Sequence, residues 1–299
     1  MDIEKFQQVH LQMPSPLQEI YSSLWAEQNI RILIKRDDLI HPIISGNKWR
    51  KLNEYIRLAQ QRPEYSILSY GGAYSNHLYS LAYVGHQMGI NTIGIVRGDE
   101  LNEQSNPFLQ QISQWGMNLH FISREAYRKK EIPKTLDSTP YLVIPEGGYG
   151  DLGLKGMKNL AEEIEKEMAP DYLITAMGTG TTGLGLSQYT RSNIVGILTL
   201  QNKKEIEEHI VEHSINTIKV QLLSDYIFDK YAKRQQILDD FCYEFEQTHQ
   251  INIEPIYTGR MFYGLYGLIK QKYFKSGSTI VALHTGGIKL SHGSFQGNS

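Results

Sequence analysis

The sequence predicts an α/β architecture built around mostly parallel sheets, on three observations. Short apolar runs rich in β-branched residues recur along the chain, segments of helical period separate them, and glycines gather where the runs end. At 299 residues the chain is long enough for two modest domains or one large α/β unit.

The strand candidates, in order, are RILIKR (31–36), YSILSY (65–70), TIGIVRG (92–98), NLHFIS (118–123), YLVIPEGG (141–148), YLITAMG (172–178), NIVGILTL (193–200) and TIVALHTGG (279–287). Between the first two, Leu52, Tyr55, Ile56 and Ala59 repeat at helical spacing, so a helix begins near Lys48. A second stripe, Leu154, Met157, Ala161, Ile164 and Met168, makes residues 145–153 a loop opening onto a helix. No internal repeat or low-complexity linker interrupts the pattern.

Composition narrows the partners. A chain 40% hydrophobic and 21% charged, with a formal net charge of −2, offers no electrostatic case for nucleic acid or an anionic membrane surface, which points to a small molecule. The single cysteine, Cys242, forms neither an internal disulfide nor a cysteine zinc cage, and DDFCYEF reads as a helix that buries it. A reducing cytoplasm fits. No apolar run approaches the ~20 residues of a membrane span, and the start MDIEKFQQVH lacks a signal peptide's apolar core.

The glycine clusters are SYGGAYSNH (69–77), PEGGYGDLG (145–153), MGTGTTGLG (177–185) and HTGG (284–287). Open α/β sheets bind ligands beyond the carboxyl ends of their strands, so these loops are expected to converge on one crevice. GTGTTG, residues 178–183, follows a strand and precedes a helix whose first amides suit a phosphate. It also matches a dinucleotide fingerprint, but the next strand ends at Leu200 and Gln201 with no acidic residue for a ribose. The hydroxyls of Thr179, Thr181 and Thr182 favour a terminal monophosphate. In SYGGAYSNH, residues Ser75, Asn76 and His77 sit over a helix start, either as a plain cap or as a carboxylate cradle.

Lys48 follows Gly46 and Asn47 at a helix mouth, with Arg50 and Lys51 nearby as cations able to lower its pKa toward a free amine. A lysine, a phosphate cradle and a carboxylate cradle together describe pyridoxal 5'-phosphate acting on an amino acid. HIVEH, at 209–213, fits a zinc-hydrolase pattern but lies in KKEIEEHIVEHS, which reads better as a solvated helix, so no metal is expected.

IKRDDL, SGNKWRKL, GGAYSNH, PEGGYGDLGLKGM, GTGTTGLG, EPIYTGRMFYGL and LHTGG, in that order from about Pro16 to Gly287, resemble the 1-aminocyclopropane-1-carboxylate deaminase / D-cysteine desulfhydrase family. The resemblance implies the tryptophan-synthase-β-like fold, type II among pyridoxal-phosphate enzymes, with two domains that each carry a mostly parallel twisted sheet flanked by helices. Residues 1–50 with 151–299 are expected to form the larger, cofactor-binding domain and 51–150 the smaller inserted one. A homodimer is implied.

Carried over by position, Lys48 matches the Schiff-base lysine and Lys51 a phosphate contact. Ser75 matches the hydroxyl beside the substrate, and Asn76 the amide reaching cofactor and substrate, with His77 alongside. Gly178, Thr179, Gly180, Thr181 and Thr182 match the phosphate loop, Tyr257 the aromatic residue against the pyridine ring, and Tyr231 a second active-site tyrosine in the weaker motif DKYAKR.

Deaminase-like members carry glutamate after the pyridine-facing tyrosine and tend to carry leucine in the last loop. Here Thr258 and Thr285 stand at those positions, both counted with the cofactor-binding set. The expectation is that Thr258 hydrogen-bonds the ring nitrogen, leaving it near neutral and suited to β-elimination. That favours D-cysteine desulfhydration to pyruvate, ammonia and sulfide over cyclopropane deamination. Asn53, where relatives commonly carry glutamate, the bulky Trp49, and a short segment after the phosphate loop depart from the family pattern. A non-catalytic carrier of pyridoxal phosphate and a nucleotide-dependent oxidoreductase are the readings from other classes.

Overall fold

A computed structural model of the chain describes residues 2–138, 140–216, 218–227 and 236–287. Ten strands appear among them: β1 Leu17–Ile20, β2 Arg31–Lys35, β3 Ser66–Gly71, β4 Thr92–Arg97, β5 Asn118–Ile122, β6 Tyr141–Ile144, β7 Tyr172–Met177, β8 Asn193–Leu198, β9 Val220–Leu223 and β10 Thr279–Leu283. All eight runs picked out from sequence are strands.

The strands form two sheets. One has the order β1-β2-β10-β7-β8-β9, the other β5-β4-β3-β6. Every pairing is parallel except β1 with β2 at the edge of the larger sheet. β2 shows why the larger sheet needs helices on both faces. Ile32 and Ile34 turn into one core with Ile174, Val195 and Phe262, while Leu33 turns into another with Met157, Leu160 and Leu173. The smaller sheet is likewise covered on both sides, by Ile67 and Val96 on one face and Leu68, Ile93 and Ile95 on the other.

β1 and β9 went unread in the sequence. Each is four residues long and lies at an edge, with Gln and Glu in LQEI and Gln in VQLL breaking the apolar run. The helix from the first stripe runs Asn47–Gln60 and buries Leu52, Tyr55, Ile56 and Ala59, as the spacing predicts. The second stripe is broken into Asp151–Lys155 and Lys158–Glu167. A Cβ on Gly156 would lie 2.0 Å from the Arg50 carbonyl, so the backbone crosses the first helix at van der Waals distance and turns there. Asp151–Gly153 therefore belong to a helix instead of the loop, and Met168 is an extended cap beyond the helix end. Cys242 is buried in the helix Gln236–His249.

Candidate active site

The helix Asn47–Gln60 starts against the loop that follows β10. Gly46 has φ +71° and ψ −146°, and a Cβ there would fall 1.7 Å from the Thr285 carbonyl oxygen, so both conformation and space demand glycine. The Gly46 amide donates to the Asp37 carbonyl at 2.8 Å, and the Asn47 amide donates to the Thr285 carbonyl at 3.2 Å. Asn47 Nδ2 donates to Thr182 Oγ1 at 2.7 Å. Residues 46–48 thus span from the end of β10 to the Gly/Thr loop after β7. Lys48, half-buried between them, has its Nζ 3.5 Å from the Thr285 carbonyl.

Two turns of hydrogen bonds hold that helix from behind. Arg50 donates to Asp37 (Nε to Oδ2 at 3.1 Å, NH2 to Oδ1 at 2.8 Å) and to Glu163 (NH1 to Oε1 at 2.6 Å). Lys35, fully buried, pairs with Glu163 at 3.0 Å and donates to the Ser15 carbonyl. Two buried cations meet two carboxylates, and the pairing holds the Arg50 guanidinium firmly charged. Arg50 is consequently spent on Asp37 and Glu163 and does not act as a cation on Lys48, contrary to the sequence expectation. Trp49 also points away, packing on Phe6 at 5.2 Å in the core of the smaller sheet. Asn53 is buried on the same helix, its Oδ1 lacking a hydrogen-bond partner among the described residues.

The Gly/Thr loop is built for an anion. Gly180, at φ +84°, precedes the helix Thr181–Tyr189 and, having no side chain, leaves the first helical amides uncapped. Thr179 and Thr181 hydroxyls lie 2.9 Å apart, and Thr182 Oγ1 accepts from Asn47, which leaves its own proton available. The Gly178 carbonyl accepts from Asn202 at 2.7 Å, and His209 Nδ1 donates to the Thr179 carbonyl at 3.3 Å. The His209 ring stacks on Tyr149 at 3.7 Å and so braces the loop from outside, while His213 meets Asp151 at 2.6 Å at the start of the neighbouring helix. Lys51 Nζ donates to the Gly147 carbonyl at 3.1 Å, joining PEGGYG to the same crevice.

Across the crevice, β3 ends in Gly71 and the helix Asn76–Met88 begins. Ser75 caps it, its hydroxyl accepting from the Leu78 amide at 3.2 Å. Ser75 and Asn76 are half-buried, whereas His77 is buried with Nε2 2.9 Å from Ser69 Oγ. Ser69 has one proton and donates it to the Ile144 carbonyl at 2.7 Å, so His77 must donate from Nε2 and carry that tautomer.

Three basic groups face one another here. Burial pushes Lys48 below the ordinary lysine range, opposed by the negative charge of Glu254. Burial, and then the Lys48 charge, lower Lys51 to about 7. His77 is lowered to about 3 by burial, then by Lys51 and Lys48. An amine that deprotonates readily beside groups that repel a proton is what imine chemistry needs.

Tyr257 lies against the Gly/Thr loop, its Cε1 3.2 Å from where a Gly178 Cβ would stand. Thr258 comes next in the chain. It is fully buried at the start of the helix Thr258–Lys270, its hydroxyl accepting from the Glu254 amide at 3.1 Å and donating to Glu254 Oε1 at 3.0 Å. Its hydroxyl is thus tied to Glu254 both as acceptor and as donor. Thr285, buried in the loop after β10, has no hydrogen bond to its hydroxyl among the described residues. Tyr231 lies outside the described residues. Glu254 and Asn47, given no role in the sequence reading, are the residues that tie the parts together.

These groups fit pyridoxal phosphate. An uncapped helix start with three threonine hydroxyls suits its phosphate, Lys48 suits its aldehyde, and the Tyr257 ring offers a face for its pyridine.

Known proteins agree. Residues 11–286 match the family described as pyridoxal-phosphate dependent enzyme. A Pyrococcus abyssi protein provisionally named 1-aminocyclopropane-1-carboxylate deaminase is 28% identical, over 88% of this chain and 86% of its own. A D-cysteine desulfhydrase of Klebsiella pneumoniae is 25% identical over 92% of both chains. Among solved structures, that of an ACC deaminase homologue superposes with a TM-score of 0.77 at 25% identity, covering 96% of each chain.

Proposed function

The chain belongs to the pyridoxal-phosphate-dependent enzyme family, and from that premise we propose that it catalyses α,β-elimination on a small amino acid, D-cysteine to pyruvate, ammonia and sulfide. The observation that carries the reading is the Asn47–Thr182 bond at 2.7 Å, which sets Lys48 beside the Gly/Thr loop. The cofactor, when bound, supplies the electron sink for the Cα carbanion.

The residues take these parts. Lys48 would hold the cofactor through its amine and, as a free amine, would take the Cα proton of the substrate, the electron pair left on Cα then expelling thiolate from Cβ. Thr179, Thr181, Thr182 and the amides from Gly178 onward would hold the phosphate, with Lys51 as an added cation. Ser75, Asn76 and the helix start behind them orient the substrate carboxylate, and His77 supports that helix as a neutral group. The Tyr257 ring would seat the pyridine, and the hydroxyls of Thr258 and Thr285 would stand with the cofactor-binding set. Hydrolysis of the eliminated enamine with one water completes the products.

Cyclopropane deamination is the second reading, favoured by the names of the Pyrococcus abyssi relative and of the superposed structure. Purified enzyme is incubated with D-cysteine, L-cysteine and 1-aminocyclopropane-1-carboxylate, and pyruvate, sulfide and α-ketobutyrate are assayed. Pyruvate with equimolar sulfide from D-cysteine supports the proposal, and α-ketobutyrate as the sole product overturns it. Lys48→Ala removes the visible band of bound cofactor; a band that persists shows that another lysine carries it. Sedimentation of the holoenzyme tests the homodimer that the family likeness suggests.

A further inference from the structure

The carboxylate of Glu254 is enclosed by the chain that follows it. Oε2 accepts from the Ile256 amide at 2.7 Å and the Tyr257 amide at 3.1 Å, and Oε1 from the Thr258 amide at 2.7 Å and the Thr258 hydroxyl at 3.0 Å. The Glu254 carbonyl accepts from Gly259 at 2.7 Å, closing the turn. Tyr257 sits inside this ring of bonds, so the carboxylate fixes the backbone from which the tyrosine ring projects toward Gly178. On its other side, a Cβ on Gly287 would lie 2.5 Å from Glu254 Cγ, which packs the glutamate stem against the loop whose Thr285 carbonyl faces Lys48.

We propose that Glu254 is a positioning residue of this site, setting the tilt of Tyr257 and supplying the negative charge that faces Lys48. The inference rests on Lys48 as the cofactor-bearing lysine. Lys48 is faced by Lys51 one turn along its own helix, by His77 from the helix Asn76–Met88, and by Glu254. Glu254 also faces Arg260, whose NH1 donates to the Thr199 carbonyl at 2.5 Å. Among these groups Glu254 is the only anion, so it alone favours a protonated nitrogen at position 48. Burial raises the Glu254 carboxyl itself, while the amides of Thr258, Ile256 and Tyr257 work the other way and hold it as an acceptor.

The test is a pH titration of the visible band of the holoenzyme in wild type, Glu254→Gln and Glu254→Asp, with bound cofactor quantified in each. Loss of the charge lowers the midpoint at which the protonated chromophore disappears, by about one pH unit for the glutamine variant. The aspartate variant, its carboxylate drawn back by one methylene, falls between the two. A purely structural glutamate lowers thermal stability and leaves the midpoint where it was, and that result overturns the proposal. If Glu254→Gln does not fold, an aspartate midpoint equal to wild type overturns it equally. Failure of the parent reading is distinguishable, because the band then survives Lys48→Ala.

Discussion

His77 gives a pH dependence whose sign follows from its burial among cations and whose rough size follows from its lowered pKa. Its neutral ring donates to Ser69 from inside the crevice wall, and its folded pKa is about 3 against 6.5 unperturbed, through burial and then the charges of Lys51 and Lys48. Below 6.5 the unfolded chain takes up a proton that the folded chain refuses, so the contribution falls as pH drops and is fully lost near 3. Between pH 7 and pH 5 the integrated loss is about 2 kcal/mol. Other groups also titrate there, so the comparison is with His77→Gln, whose amide can still donate to Ser69 but does not ionise. Urea denaturation of both proteins at half-unit steps from pH 7.5 to 4.5 measures the difference in unfolding free energy. That difference should move by about 2 kcal/mol in favour of the variant as pH falls to 5. A difference that stays constant across the range refutes the placement of His77 as a buried neutral donor.

Two further outcomes follow from the same geometry. Arg50→Met leaves Asp37 and Glu163 without their guanidinium and should cost ~4 kcal/mol in denaturant unfolding; a cost below ~1 kcal/mol would show the network to be dispensable. Thr182→Val removes the acceptor for Asn47, so spectroscopic titration with pyridoxal phosphate should show about fivefold weaker binding, the worth of ~1 kcal/mol. Unchanged affinity would uncouple the lysine helix from the phosphate loop.

The strands were legible because a buried parallel strand needs β-branched and apolar side chains on both faces, and ILIK, IGIVR and TIVAL announce this directly. β1 and β9, half-exposed at the edges, carry no such demand. The break at Gly156 was illegible because its cause is a backbone 106 residues earlier in the chain, the Arg50 carbonyl. In the site, loop glycines and the lysine were visible through local spacing. The partner of Arg50 was not, since Asp37 and Glu163 reach it from different elements and turn an apparent surface cation into a buried strut. The bond from Thr258 to Glu254, four positions earlier, also went unread, although it lies within about one turn of chain.

The clasp between Gly46 and Thr285 also bears on synthesis. The lysine is made within the first fifty residues, but the carbonyl it faces comes 237 positions later. A nascent chain on the ribosome can fold the smaller sheet early, since β3 to β6 are complete by residue 144. That carbonyl reaches the helix only once residue 285 has left the exit tunnel, so the clasp closes well after the smaller sheet can form.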